Sequence, residues 1–390
     1  MTTRPGHGAP APDQAIRAAP IGHARDRRGS PVPTAGMIAT RVMELRKRRG
    51  LMIALIVVNI GFPAVFLLIR LLAHAFAPYA NPPAGGDQIF VPLAAGFLPT
   101  FAFIAAVAVG CTAGSRDLTE GMFRHLVVTG RSRVALYLAR IPAGLAIVVP
   151  LVAIGYTILC AVCVFAAPTF IDDNNVNIPS GLSRAGFENW ARDHAEPVIC
   201  SLAYNGHIPG NVACPGPPPW SKSAVTPVQP APAPVETLAI KIAKNDYRGY
   251  TAIVRYPPIS LMIKAGLWLE LEAAVAFTVG LGLASLMGQR TVPMILLIVF
   301  QIILTPILSA IVISHLQNLQ RSVVGLAVAR LEPSGLPVAF GLPGVAGGLA
   351  RPGAAQALLP ESATQAACVI IAWLAGWTIL GTWRMMTRDA

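Results

Sequence analysis

Charge is what this sequence lacks. Only 12% of its 390 residues are charged, against roughly 25% in an ordinary soluble domain. Hydrophobic residues make up 54%, so the polar groups are too few to cover a water-facing surface. A cytosolic globular enzyme and a disordered chain are both excluded. Acids are scarcer than bases, 18 against 30, which leaves a net charge of +12. The positive residues are clustered, as in a bilayer protein with basic cytoplasmic segments rather than a nucleic-acid binder. Lysine supplies only 5 of the bases and arginine 25, a balance associated with GC-rich bacterial genomes. Catalytic signatures are also missing. There is no G-x-x-x-x-G-K-[ST] phosphate loop, no H-E-x-x-H and no G-x-S-x-G. The chain is therefore expected to be no enzyme, to bind no ATP through a P-loop and to need no cofactor or metal. Cysteines are few, and Cys111, Cys160, Cys163 and Cys368 lie in apolar runs, where they read as packing.

What is present is long apolar runs. A hydrocarbon layer of about 30 Å takes about 20 helical residues to cross. Six stretches approach that: Leu51–Ile69, Ile89–Gly110, Val134–Ala166, Ala265–Met287, Val292–Ile313 and Ala366–Trp383. Pro63, Pro150 and Pro306 fall inside them, which membrane bundles tolerate when neighbours satisfy the freed carbonyls. Ser362 and Gln365 have the spacing of a capping box before the sixth. The expected fold is all-α, a polytopic bundle of six transmembrane helices with a large external loop. The link 75–88 has no Lys or Arg, whereas 114–133 has Arg116, Arg124, Arg131 and Arg133, and the first 50 residues hold ten bases against three acids. By the positive-inside rule both termini are cytoplasmic. Ala73-His74-Ala75 resembles a signal-peptidase site, but the preceding basic region is far too long for a signal peptide.

Between the runs the composition shifts. Residues 1–35 read as a disordered cytoplasmic tail. Within 36–166, Ile38, Val42 and Leu45 mark a short amphipathic helix on the inner leaflet. In 114–133, Asp117 and Glu120 make a capping-box-like start, Leu118, Met122 and Leu126 line one face with Phe123 beside it, and Arg124 falls on the other. This predicts a cytoplasmic amphipathic helix over about 117–128, able to dock a soluble partner. Residues 167–264 form an external insertion. There Cys200 and Cys214 are expected to pair, closing a loop worth about 3 kcal/mol by chain entropy. Residues 265–390 hold the last three spans, with an external loop at 314–365. Glu270 and Glu272 break an otherwise charge-free interior; acids so placed often line a pathway, though a helix end paired with Lys264 is the plainer alternative.

Six spans, a basic amphipathic helix before the first, and a cytoplasmic helix between the second and third resemble the type-2 class of ABC transporter permeases. The stretch from Gly114 to Arg133 and the ending from Trp383 to Ala390 carry the likeness. The resemblance covers about 36–166 and 260–390, with loose motifs. It implies the permease subunit of an exporter in a bacterial plasma membrane. Asp117, Leu118, Glu120, Met122, Phe123, Arg124 and Leu126 would form the coupling helix. It would press on a separate cytoplasmic ATP-binding subunit, and a second permease copy or relative would complete the pathway. The insertion 167–264 departs from that pattern. The competing reading is a membrane scaffold or sensor whose external disulfide loop binds a ligand. An autonomous secondary carrier would call for internal repeats and mid-membrane acids, and only Glu270 and Glu272 answer to that.

Overall fold

Proline shapes the apolar helices. The computed structural model describes residues 30–77, 84–119, 132–167, 170–173, 176–196, 198–199, 233–252, 256–305, 307, 320–334, 336 and 362–387. Helix α1 (Ala35–Arg46) is followed by the long helices α2 (Arg49–Phe76), α3 (Ile89–Ser115) and α4 (Arg133–Phe165). In α2 a wide π turn over Val57–Gly61 ends two residues before Pro63. The same spacing recurs in α3, where Leu93–Phe97 precedes Pro99. It recurs again where Phe300–Leu304 precedes Pro306. A proline has no N–H, and its ring clashes with the carbonyl four residues back. The residues four back are Asn59, Ala95 and Ile302, and each falls inside a widened turn. Pro150 lies in α4 with no such turn.

After α4 come the strands β1 (Phe170–Asp173) and β2 (Val176–Pro179), an antiparallel hairpin, then helices α5 (Arg184–Asp193) and α6 (Ala233–Ala252). The chain returns to apolar helix in α7 (Ile259–Met287), α8 (Thr291–Leu304), the short α9 (Val324–Arg330) and α10 (Ala363–Thr387). Among the described residues five helices, α2, α3, α4, α7 and α10, are long and apolar enough to cross a membrane. The expected six become five here because α8, the described part of the predicted fifth span, is shorter, and 308–313 fall outside the described residues. Ser362 and Gln365 form the capping box foreseen at α10. Gln365 N–H donates to Ser362 Oγ at 3.2 Å, and Ser362 N–H donates to Gln365 Oε1 at 3.1 Å.

Helix α7 is the centre of the bundle, buried along most of its second half from Ala273 to Ser285. It ends at Gly288, whose φ of +72° suits glycine alone; its N–H closes the last turn on the Ala284 carbonyl at 2.8 Å. Against α7 lies α3, through Gly110 and Gly114. A Cβ on Gly110 would run into the Phe277 carbonyl, and one on Gly114 would stand 2.5 Å from the Leu281 carbonyl. Gly280 answers from α7, where a Cβ would stand 3.3 Å from the Val107 carbonyl, so the two backbones approach closely. Lipid tails offer no hydrophobic drive for helix pairing, and close backbone packing replaces it. The outward faces of α2, α8 and α10 expose Ile53, Phe62, Ile69, Ile295, Val299, Ile371 and Trp383. Helix α1 is seated on protein: its Met37 is buried with Ala135, Leu136 and Ala139 at the start of α4.

The insertion is more than a polar loop. The hairpin, α5 and α6 enclose a core of Ile178, Phe187, Ala191, Ala243 and Tyr250, separate from the bundle core. Phe187 stacks on Tyr250 at 4.4 Å between centroids. The Tyr250 hydroxyl donates to the Pro179 carbonyl and accepts from Leu182 N–H, both at 2.8 Å, tying α6 to the hairpin end. Arg192 and Glu236 join the two helices at 3.3 Å. Apart from this hairpin the described elements are mostly helical, consistent with the all-α bundle expected. Tyr250→Phe is expected to leave both backbone groups unsatisfied and to cost the insertion about 1–3 kcal/mol. Faster limited proteolysis within 170–252 of the full-length protein is the readout, and an unchanged cleavage rate would refute it.

Candidate functional site

One of the acids singled out in the sequence, Glu272, meets a third acid. Glu270 and Glu272 sit in α7, each with its Oε2 sealed from solvent and without a hydrogen-bond partner. Glu332 lies just beyond α9, its Oε1 equally sealed and unbonded. Three features bring α9 there. Trp268 Nε1–H donates to the Val328 carbonyl at 2.8 Å, and Trp373 Nε1–H of α10 donates to the Ser322 carbonyl at 2.8 Å. Leu326 and Ala327 are fully buried. Gly325 lets the segment close on α8, since a Cβ there would stand 2.8 Å from Gln301 Oε1. The chain leaves α9 through tight turns, Leu331 N–H to Val328 O at 3.0 Å and Glu332 N–H to Ala329 O at 3.1 Å. Glu272 and Glu332 each stand four residues beyond the indole–carbonyl bond from Trp268 to Val328. Burial first, and the neighbouring Glu272 carboxylate second, push the Glu332 carboxyl up to about 8. Arg330 directs Nη1 to the Gln320 carbonyl at 3.4 Å.

Glu332 was missed in the sequence. The available signal was an acid two residues after Arg330, ending the apolar run Val323–Ala329. Glu270 and Glu272 do not end the helix: α7 begins at Ile259, two turns or more before them. Among the described residues no group of three His, Cys, Asp or Glu is placed to hold a metal ion.

A second polar knot forms where α3, α4 and α7 meet. The Gly114 carbonyl accepts from Arg140 Nη1 at 3.2 Å and from Ser285 Oγ at 3.3 Å. Arg140 is only 2% exposed, with its guanidinium 6.0 Å above the Tyr137 ring centroid. Arg133 Nη1 reaches the Met386 carbonyl at 3.0 Å, so α4 and the end of α10 are joined beside it.

Of the predicted coupling helix, Asp117 and Leu118 belong to the helix that follows α3 unbroken to Thr119, so no new helix begins at Asp117. The apolar run simply continues its hydrogen-bond ladder past Gly114, where the Arg140 and Ser285 contacts hold it. Glu120, Met122, Phe123, Arg124 and Leu126 lie outside the described residues, as do Cys200 and Cys214. Cys111, Cys160, Cys163 and Cys368 are free thiols. The chain matches no protein-family model, and no curated protein or solved structure is significantly similar to it.

Proposed function

We propose that the chain is the membrane-spanning permease subunit of a type-2 ABC transporter, an exporter driven by a separate cytoplasmic ATPase. The observation that carries this reading is the order of elements. A basic helix, α1, precedes the first apolar helix, and a short basic link with an apolar stripe joins α3 to α4. With α8 extended as the sixth span, both termini and the 120–131 link face the cytoplasm of a bacterial plasma membrane, and the insertion faces out. The segment around Met122 and Phe123 then presses on the ATPase, and α3, held at Gly114 by Arg140 and Ser285, passes its movement to α7. ATP turnover drives transport only by stabilising inward- and outward-facing bundles unequally. A second permease copy completes the pathway, against the apolar faces that α2, α8 and α10 leave exposed.

Gentle purification from native cells is expected to bring an ATP-hydrolysing subunit with the chain. Phe123→Asp is expected to leave the bundle folded while transport falls at least about tenfold for the same ATP consumption. Normal transport by that variant, with its ATPase still bound, would remove the coupling assignment. One observation favours the scaffold or sensor reading: the insertion has a core of its own, as a ligand-binding module needs. Purification without any ATPase, together with ligand-dependent protection of the insertion from protease, would turn the choice that way.

A further inference from the structure

The docked α9 segment carries one contact that is electrostatically unfavourable. Among its polar ties to the long helices are two indole N–H donors, Trp268 to Val328 and Trp373 to Ser322. Beside them a carboxyl of α7 and a carboxyl of the turn after α9 are neighbours, each with a sealed oxygen that no donor satisfies. Two carboxylates so placed cannot both ionise without a heavy penalty, so a proton is the economical occupant. Metal is a poor alternative, because no third ligand joins them among the described residues. We propose that Glu272 and Glu332 form a proton-held latch: while the pair keeps a proton, α9 stays docked on α7 and α10, and loss of that proton releases it.

The ionisable groups on the surrounding elements begin with Arg321 before α9, which is exposed. On α7 itself the other ionisable groups nearby are Glu270, a further acid, and Lys264, which is exposed two turns away. Arg330, on α9, directs Nη1 at the Gln320 carbonyl. Helix α8 carries no acid or base, and α10 has only Cys368 and Arg384. The sign follows from the Glu332 carboxyl, whose usual 4.5 is raised to about 8 in the docked state. Docking therefore takes up a proton between those values. Its stability is whole below 4.5 and is lost as the pH rises through about 8. The latch closes in acid and opens in base. It is independent of whether an ATPase drives the protein, so neither test decides the other.

The full chain in lipid nanodiscs, with Ala327→Cys as reporter, tests this. Ala327 belongs to α9 itself and is fully buried while the segment is docked. Iodoacetamide labelling of that peptide is followed by mass spectrometry and divided, at each pH, by the rate for the same protein unfolded. The ratio is expected to rise about tenfold or more between pH 6 and pH 9. Glu332→Gln and Glu272→Gln are each expected to hold it low throughout. A flat ratio in the parent protein overturns the latch, and so does a Gln variant that opens with the parent's pH profile. If one variant does not fold, the other decides.

Discussion

Gly110→Leu is expected to leave almost no folded, monodisperse protein in detergent. The neighbour is the Phe277 backbone carbonyl, which cannot rotate aside as a side chain would. Even a methyl collides there, and Gly114, one turn on, has the Leu281 carbonyl 2.5 Å from its notional Cβ. The helices must separate by several ångströms over the whole contact. Ordinary overpacking costs about 1–3 kcal/mol where side chains yield. Here nothing yields, and the α3–α7 pairing has no hydrophobic effect to fall back on inside lipid. Gly376→Leu, where open space surrounds the position, is the control and should fold normally. Equal size-exclusion profiles for the two variants would show that α3 and α7 do not meet as described.

Arg140→Ala should lower thermal stability by an amount corresponding to about 3 kcal/mol or more. The variant empties a space that is 2% exposed and removes a side-chain donor from the Gly114 carbonyl. Of the two side-chain donors named, Ser285 then remains on that oxygen, at 3.3 Å. Arg140→Lys should recover only part of the loss, since an ammonium keeps the charge but not the planar, several-donor fork. Melting followed by the loss of the monodisperse peak reads this directly. If the Ala and Lys variants melt with the parent, the buried guanidinium does not secure the junction. The Gly110 and Arg140 sites share α3, so their effects should not simply add.

The apolar helices were legible because each is decided locally. About 20 apolar residues in sequence make membrane burial favourable whatever their neighbours do, and composition alone reports that. Leu51–Ile69, Ile89–Gly110, Ala265–Met287 and Ala366–Trp383 lie within helices long enough to cross, and Val134–Ala166 overruns a fifth by one residue. The Ser362–Gln365 box was equally local, since its two reciprocal bonds span four residues. The prolines announced distorted spans, but not which would widen: Pro63, Pro99 and Pro306 follow π turns and Pro150 does not. The insertion's fold was not legible. Its short segments carry mixed polarity, and the stack of Phe187 on Tyr250 joins residues far apart in the chain.

By itself the sequence determined that this is a multi-helix, membrane-length protein with basic links, because hydrophobic burial and charge placement are sums over neighbouring residues. It also marked Glu270 and Glu272 as misfits. Only the tertiary structure decided that Gly110 and Gly114 are a helix seam and that Arg140 caps a carbonyl on another helix. It alone set Glu332 against Glu272 across a fold-back of the chain. Those outcomes depend on which faces of distant helices meet. Close packing in a lipid-facing bundle is governed by backbone shape and a few polar bonds, and neither is written in any local window of residues.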